Sequence, residues 1–295
     1  MASIRMQPVG QTPRFVADAV ALMREQLGSE LTVIDLADHV GYSRYHFSRM
    51  FAEVTGLAPT EYLAALRFAE AKRLLLITDE PVVDVCAEVG FTSLSTFSRR
   101  FRRVVGTAPA GLRRLADDVS ERPVVPFAVS EPGQPSIVVR LDLDGAAGGA
   151  LQWQGEVTRP PRPAEQSRAE IAVEENRAAR RALYEALRMP RLTWIGWYSR
   201  PVPVGLPEAG VLLSGEGPVK LPLCAGHPWL LAVSMRADAD PLEQLAPIVP
   251  LVAAHPAPIT PTTLVAGTTL EILLRFAPAG PHNVPLLSAL ASLRS

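Results

Sequence analysis

Apolar side chains recur at helical spacing in two stretches of the N-terminal third of the chain. In the first stretch they follow the spacing i, i+3, i+4, i+7 and are Phe47, Met50, Phe51 and Val54. In the second stretch they are Phe97, Phe101 and Val104. Candidate N-caps (Ser43, Ser93) precede the two helices, and glycines suited to a tight turn (Gly41, Gly90) stand just before the caps. Each stretch therefore predicts a short helix, a turn and a second helix; Thr32 and Asp35 have capping-box spacing ahead of the first.

The two stretches are copies of one pattern. Val40-Gly41-Tyr42 corresponds to Val89-Gly90-Phe91, and after one inserted residue Phe47-Ser48-Arg49 corresponds to Phe97-Ser98-Arg99. Such a repeat indicates two structural units of the same kind. Residues 60–77 between them contain neither glycine nor proline and predict one helix, about 27 Å long at about 1.5 Å per residue. A helix of about this length could hold two recognition helices near one turn of B-DNA apart, which is about 34 Å.

The second helix of each copy has a polar face opposite its apolar stripe. In the first copy this face carries Arg44, Tyr45, His46, Ser48 and Arg49. In the second copy it carries Ser95, Thr96, Arg99, Arg102 and Arg103. A helix, a tight turn and a second helix with a polar face is the helix-turn-helix pattern, whose second helix enters the major groove. The alternative is a helical bundle that binds no DNA.

A long set of motifs in residues 15–115 resembles the DNA-binding domain of the AraC/XylS family of transcription regulators. The motifs are GYSRYHFSRMF, YLAALRFAEAKRLL and GFTSLSTFSRRFRRVVGTAP. The first unit is similar to the MarA/Rob subgroup, with Tyr45 in place of a tryptophan. The domain is N-terminal here, as in the Rob-like minority of the family, whereas most members carry it at the C-terminus. The resemblance implies sequence-specific binding of double-stranded DNA.

The resemblance also implies which side chains face DNA. Base-facing residues of the first unit are Tyr45, Ser48 and Arg49, to which the polar face adds His46. Base-facing residues of the second unit are Leu94, Ser95, Thr96 and Arg99. Phosphate contacts are expected from Ser43, Arg44, Ser93, Arg102 and Arg103. Leu94 departs from the family, which often has a polar residue there. Either it contacts a thymine methyl group, or the second unit contributes mainly through the DNA backbone.

The six arginines between Phe97 and Arg114 form a basic stretch without an acidic residue. They are Arg99, Arg100, Arg102, Arg103, Arg113 and Arg114. Clustered positive charge suits the phosphate backbone, although a charge run is more often a solvated helix face. The formal net charge of the whole chain is −1, so the stretch is a local feature.

The rest of the chain predicts a different architecture. Residues 116–135 are polar and proline-bearing, and are expected to link a first domain at 14–115 to a second at 136–295. Alternating segments predict strands at 136–143, 151–158, 192–200, 219–223, 229–236 and 270–276. One inserted helix is expected over 164–189 and a short one over 286–293. The fold class expected is multidomain: an all-α double helix-turn-helix domain, then a mainly β, sandwich-like domain. The second domain is loosely similar to transthyretin-like and carboxypeptidase-regulatory-like modules.

Composition and motifs limit the classes of function expected of the chain. The chain has 295 residues, 48% of them hydrophobic and 20% charged, which favours a packed fold over disorder. Two distant cysteines, no signal segment and no long apolar run favour a cytoplasmic protein without membrane contact. Five scattered histidines predict no metal site, and Cys224 lacks the Pro-Cys-His-Arg context of alkyl-transfer repair proteins. We therefore expect neither an enzyme nor a cofactor.

The role of the second domain stays open at this point. Its four tryptophans, Trp153, Trp194, Trp197 and Trp229, form either its core or an aromatic pocket for a small molecule. Trp194 and Trp197 are expected on opposite faces of one strand, because they are three residues apart. The domain either senses a small-molecule effector or mediates self-association; alternatively it is a ligand-free interaction module. RNA polymerase is a further candidate partner, and the ligand-binding residues and the oligomeric state are undetermined.

Overall fold

The computed structural model describes residues 12–121, 125–129, 136–143, 191–215, 217–224, 226–236, 244–247, 250–260, 270–280 and 286–294. The N-terminal part consists of the helices α1 (Arg14–Glu25), α2 (Val33–His39), α3 (Arg44–Thr55), α4 (Pro59–Ile77), α5 (Val82–Glu88), α6 (Leu94–Val105) and α7 (Pro109–Glu121). The strands that follow are β1 (Phe127–Val129), β2 (Ser136–Asp142), β3 (Arg191–Tyr198), β4 (Ala209–Ser214), β5 (Val219–Pro222), β6 (Trp229–Arg236), β7 (Leu251–Ala254), β8 (Glu271–Arg275) and β9 (Ala277–Pro278). This order confirms the expected fold class, an all-α part followed by a mainly β part.

Local signals define both helix-turn-helix units, α2–α3 and α5–α6. The turn glycines have positive φ angles, 76° at Gly41 and 80° at Gly90, a conformation that side chains disfavour. The Ser43 and Ser93 hydroxyl oxygens accept the backbone N–H of the third helical residue at 3.4 and 3.3 Å. Both serines are therefore N-caps, as predicted.

The predicted capping box at α2 is present. The Asp35 N–H donates to the Thr32 hydroxyl at 3.3 Å, and the Thr32 N–H donates to the Asp35 carboxylate at 2.8 Å. The hydroxyl of Thr32 also donates to this carboxylate, and these hydrogen bonds lower the pKa of Asp35. The start of α2 is thus fixed by residues adjacent in sequence.

Both units pack against α4, the long helix that joins them. In the first unit the Phe51 ring lies 5.4 Å from Phe47 and 5.3 Å from Tyr62 of α4. In the second unit the Phe68 ring of α4 stacks on Phe91 at 5.0 Å and approaches Phe97 at 6.0 Å. Burial of these rings is the main favourable contribution to the packing of each unit on α4. The helix has 19 residues, which gives it a length of about 28 Å.

The strands form two sheets. The large sheet has six strands in the order β1-β4-β3-β6-β7-β9, and each of its neighbouring pairs is antiparallel. The small sheet has three strands in the order β5-β2-β8, of which β2 and β8 are parallel. The apolar residues between the sheets form one core, which includes Ile137, Trp197 and Ile272. The two sheets therefore make a sandwich.

The other face of the large sheet packs against the helices. Trp194, Leu212 and Val233 belong to the same core as the helical residues, whereas Trp197 belongs to the core between the sheets. The two tryptophans point to opposite faces of β3, as predicted. Trp194, Trp197 and Trp229 are all buried, so these three tryptophans contribute to packing. The central strands β3 and β6 are covered on both faces.

The predicted strand over 151–158, the two predicted helices and the predicted linker differ in how they compare with the structure. The strand expected over 151–158, the helix expected over 164–189 and Trp153 lie outside the described residues. The helix expected over 286–293 was partly wrong: a 3₁₀ helix begins only at Leu290, because backbone groups before it bond to the N-terminal part. The expected linker over 116–135 contains the end of α7 and strand β1. The domain boundaries stay a prediction.

Candidate nucleic-acid interface

Helix α3 presents the residues that the sequence assigned to base contact. Tyr45 is 79% exposed although it is a large ring, and Arg44 and Arg49 are exposed as well. His46 and Ser48 are half-buried at the margin of this face. The opposite face is packed into the core. The helix therefore displays one continuous surface of hydrogen-bonding and aromatic groups to solvent.

The polar groups on α3 already have local partners. The Ser48 hydroxyl donates to the Arg44 carbonyl at 2.8 Å, so its free lone pairs accept but its proton is engaged within the helix. The Arg49 guanidinium lies 3.9 Å from the Glu53 carboxylate in an exposed pair. Exposed helical pairs of this kind contribute about 0.3–0.5 kcal/mol. Arg49 can therefore leave Glu53 for a base or a phosphate at small cost.

Helix α6 presents the equivalent surface of the second unit. Ser95 and Arg99 are exposed, and Arg99 occupies the position that Arg49 has in the first unit. Leu94 is 42% exposed at the first position of the helix. Thr96 is half-buried and accepts a hydrogen bond from the Ser93 hydroxyl at 3.2 Å. The structure thus places every predicted base-facing residue of both units on a surface with solvent access.

The arginines after Phe97 divide into two groups. Exposed residues are Arg99, Arg102, Arg103 and Arg114. Arg100 instead lies over the Phe68 ring at 5.6 Å and the Phe91 ring at 5.9 Å. Arg113 donates to the carbonyls of Leu75 at 3.2 Å and Thr78 at 3.1 Å, and caps the C-terminus of α4. The basic stretch is therefore not one phosphate-binding face, because two of its six arginines stabilise the fold.

Arg67 of α4 has a structural role that the sequence pattern did not indicate. Its half-buried guanidinium donates to the carbonyls of Leu27 at 2.9 Å, Ser29 at 2.6 Å and Gly90 at 3.1 Å. These bonds tie the turn of the second unit to the segment after α1. Burial lowers the pKa of Arg67. The partners lie far from it in sequence, so no local signal marks this residue.

The C-terminal ends of both recognition helices contact the β-rich part. The Arg200 guanidinium pairs with the Glu61 carboxylate at 3.0 and 3.1 Å and donates to the Gly56 carbonyl after α3 at 3.4 Å. This pairing lowers the pKa of Glu61. At the end of α6, the Ala289 N–H donates to the Val105 carbonyl at 2.9 Å. One β-rich part thus contacts both units on the side away from the start of each recognition helix.

Among the described residues, no group of three or more His, Cys, Asp or Glu side chains is placed to hold a metal ion. Cys86 is buried, and burial raises the pKa of its thiol. Within the described parts of the chain, none of the helices has the length and apolar character that a membrane crossing needs.

Comparison with known proteins agrees with this geometry. A helix-turn-helix domain model matches residues 36–115. The HTH-type transcriptional activator AarP of Providencia stuartii is 30% identical over 102 residues, 35% of this chain and 75% of AarP. The transcriptional regulator Rob of Salmonella typhimurium is 31% identical over 102 residues, 35% of each chain. The right origin-binding protein of Escherichia coli is 32% identical over 99 residues, 34% of each chain.

A solved structure with sequence similarity to part of the chain is known as well. The crystal structure of the DNA-binding domain of AdpA in complex with a target DNA has 36% identity and a TM-score of 0.34, and the match covers 37% of this chain and 96% of that one.

The matched residues are those that form the two helix-turn-helix units, so the protein is a DNA-binding regulator by class. It belongs to the AraC family of helix-turn-helix transcription regulators. The family model ends at residue 115, and the chain covers three quarters of AarP but about a third of Rob and of the right origin-binding protein.

Proposed function

We propose that the protein binds double-stranded DNA by placing α3 and α6 in two successive major grooves. The main support for the proposal is that the two helices share the same arrangement of buried and exposed residues. Each has a buried aromatic stripe, a serine N-cap and an exposed arginine at the same position, Arg49 in one and Arg99 in the other. An exposed arginine on a recognition helix is suited to bidentate hydrogen bonds with guanine.

Within this proposal the side chains divide into base contacts and phosphate contacts. Base contacts come from Tyr45, His46, Ser48, Arg49, Leu94, Ser95, Thr96 and Arg99. Phosphate contacts come from Ser43, Arg44, Ser93, Arg102 and Arg103. Phosphate contacts supply affinity irrespective of sequence, and base contacts supply the choice of site. AarP is named a transcriptional activator, and we propose RNA polymerase as a second partner of this protein as well.

The β-rich part contacts both helix-turn-helix units. It touches the end of α3 through Arg200 and the end of α6 through Ala289. A body that contacts both units restrains their relative orientation, and with it the spacing of the two DNA half-contacts. We propose that the β-rich part regulates DNA binding through this restraint.

Selection of DNA from a random duplex library by the full-length protein tests the proposal. We expect one enriched site that spans two adjacent major grooves. Arg49→Ala and Arg99→Ala should each relax the enriched sequence in a different half of the site, whereas Arg275→Ala, an exposed arginine on β8, should leave it unchanged. An enriched site identical for all four proteins would refute the assignment of the two recognition helices.

A further inference from the structure

A cleft of about 830 Å³ lies between the helical and the β-rich parts. One wall comes from α1, α4 and α5, and the other comes from the segments around Pro250, Ala279 and Leu286. Its volume is within the range of small-molecule sites, which is about 300–1,000 Å³. Such sites occur preferentially between domains.

The walls of the cleft are largely apolar, with charged groups of both signs. Leu27, Leu66, Val89 and Pro250 contribute apolar surface. Arg73 and Glu70 neutralise one another through two hydrogen bonds of 2.9 and 2.6 Å. The remaining acid is Glu88, whose pKa is raised, first by desolvation and then by neighbouring Glu80.

The remaining bases are Arg24 and Lys72, and neither has a carboxylate partner among the described residues. The lining of the cleft therefore contains more basic than acidic side chains.

Lys72 is the unusual group in this wall. The residue is only 2% exposed, and its ammonium donates to the carbonyls of Leu286 and Leu287, both at 3.1 Å. An ammonium group has three donors, so one is left without an acceptor in the described part of the chain. A buried cation without an anion is costly, and burial accordingly lowers the pKa of Lys72 to about 7. Both the charge and the spare donor are suited to a bound anion.

We propose that this cleft binds a small organic anion with an apolar body, its carboxylate against Lys72 and Arg24 and its apolar body along Leu66 and Val89. A carboxylate supplies the missing negative charge, and the apolar walls exclude water from the rest of the ligand. A fully polar anion would make no apolar contacts with these walls. A neutral apolar molecule would leave the ammonium without a counter-charge.

A ligand in this cleft would change DNA affinity because of where the cleft lies. This step rests on the proposed regulation of DNA binding by the β-rich part. Lys72 lies on α4, the helix that joins the two units, and the opposite wall belongs to the β-rich part that contacts both. A ligand bound to both walls stabilises the packed arrangement of the two parts. Its effect on DNA affinity cannot exceed its preference for that arrangement.

Isothermal titration of the full-length protein without DNA tests the site. The probes are octanoate and 1-naphthoate, each compared with its own primary amide as the neutral analogue. The variants are Lys72→Met, which keeps an unbranched side chain one atom shorter but removes the charge, and Ala69→Phe, which fills the cleft from α4. The matched control is Lys220→Met, an exposed lysine on β5. Circular dichroism verifies that each variant is folded.

We expect saturable binding of at least one acid, with at least tenfold weaker binding of its amide. Lys72→Met should weaken the acid at least tenfold, Ala69→Phe should abolish its binding, and Lys220→Met should have no effect. Binding of neither acid, equal affinity for acid and amide, or affinity unchanged in Ala69→Phe would overturn the proposal. If Lys72→Met does not fold, the amide comparison and Ala69→Phe still decide. Because the titration contains no DNA, a negative result leaves the proposed DNA-binding function intact.

Discussion

Replacing the buried Lys72 by methionine should change how the stability of the protein depends on pH. In the unfolded chain the lysine is protonated up to its ordinary pKa of 10.5, whereas burial lowers the pKa in the folded state to about 7. Between these values the unfolded state binds one more proton than the folded state. The free energy of unfolding therefore rises with pH in this window. Methionine does not titrate, so the variant lacks this contribution.

The size of the effect follows from the two pKa values. A full proton difference is equivalent to about 1.4 kcal/mol per pH unit. Because half of the folded-state protons are still bound near pH 7, we expect about 2 kcal/mol of added stability between pH 7 and pH 9. Arg24 of α1, Arg73 and Glu70 of α4, and Glu88 of α5 line the same cleft. They are common to both proteins, so their contribution cancels in the difference.

Urea unfolding at pH 7, 8 and 9, followed by circular dichroism, measures the difference between wild type and Lys72→Met. Stability of the wild type should rise relative to the variant at each step. The raised pKa of Cys86 acts in the opposite direction in both proteins and cancels as well. Lys220→Met serves as the control and should track the wild type. A difference between wild type and Lys72→Met that is constant across the three pH values would refute the assignment of a buried cation.

Three further predictions concern the DNA surface and the core. Arg49→Ala should weaken binding to the selected site by about 1–3 kcal/mol and relax base choice at one position, measured by fluorescence anisotropy on single-base variants of the site. Joint replacement of Arg102 and Arg103 by alanine should weaken binding to all sequences alike and reduce the salt slope by about 2, and a salt titration with an unchanged slope would contradict this. Phe101→Ala should destabilise the protein by about 3–5 kcal/mol in urea unfolding, because the ring is fully buried, whereas the exposed Leu94→Ala should stay within about 0.5 kcal/mol.

Features set by neighbouring residues could be predicted from the sequence. The caps at Ser43 and Ser93, the turn glycines and the buried stripes all depend on groups within one or two helical turns. The opposite orientation of Trp194 and Trp197 follows from strand geometry alone. These local rules were sufficient to predict both helix-turn-helix units and the mainly β character of the second half.

Features that depend on distant partners could not be predicted. Arg67 bonds to residues 23 to 40 positions away, and Lys72 to residues more than 200 positions away. Arg100 and Arg113 carry the same charge as their exposed neighbours, and only the packing of α4 separates structural from exposed arginines. The helix expected over 286–293 starts late for the same reason, since Leu286 and Leu287 direct their carbonyls to Lys72.

The central claim is that α3 and α6 contact two successive major grooves of one DNA site. Methylation interference at guanine N7, a major-groove atom, tests it most directly on the selected site. We predict two clusters of interfering guanines on one face of the duplex, with centres about 10 base pairs apart, and loss of one cluster in Arg99→Ala. A single cluster, or no interference from major-groove methylation, would contradict the account.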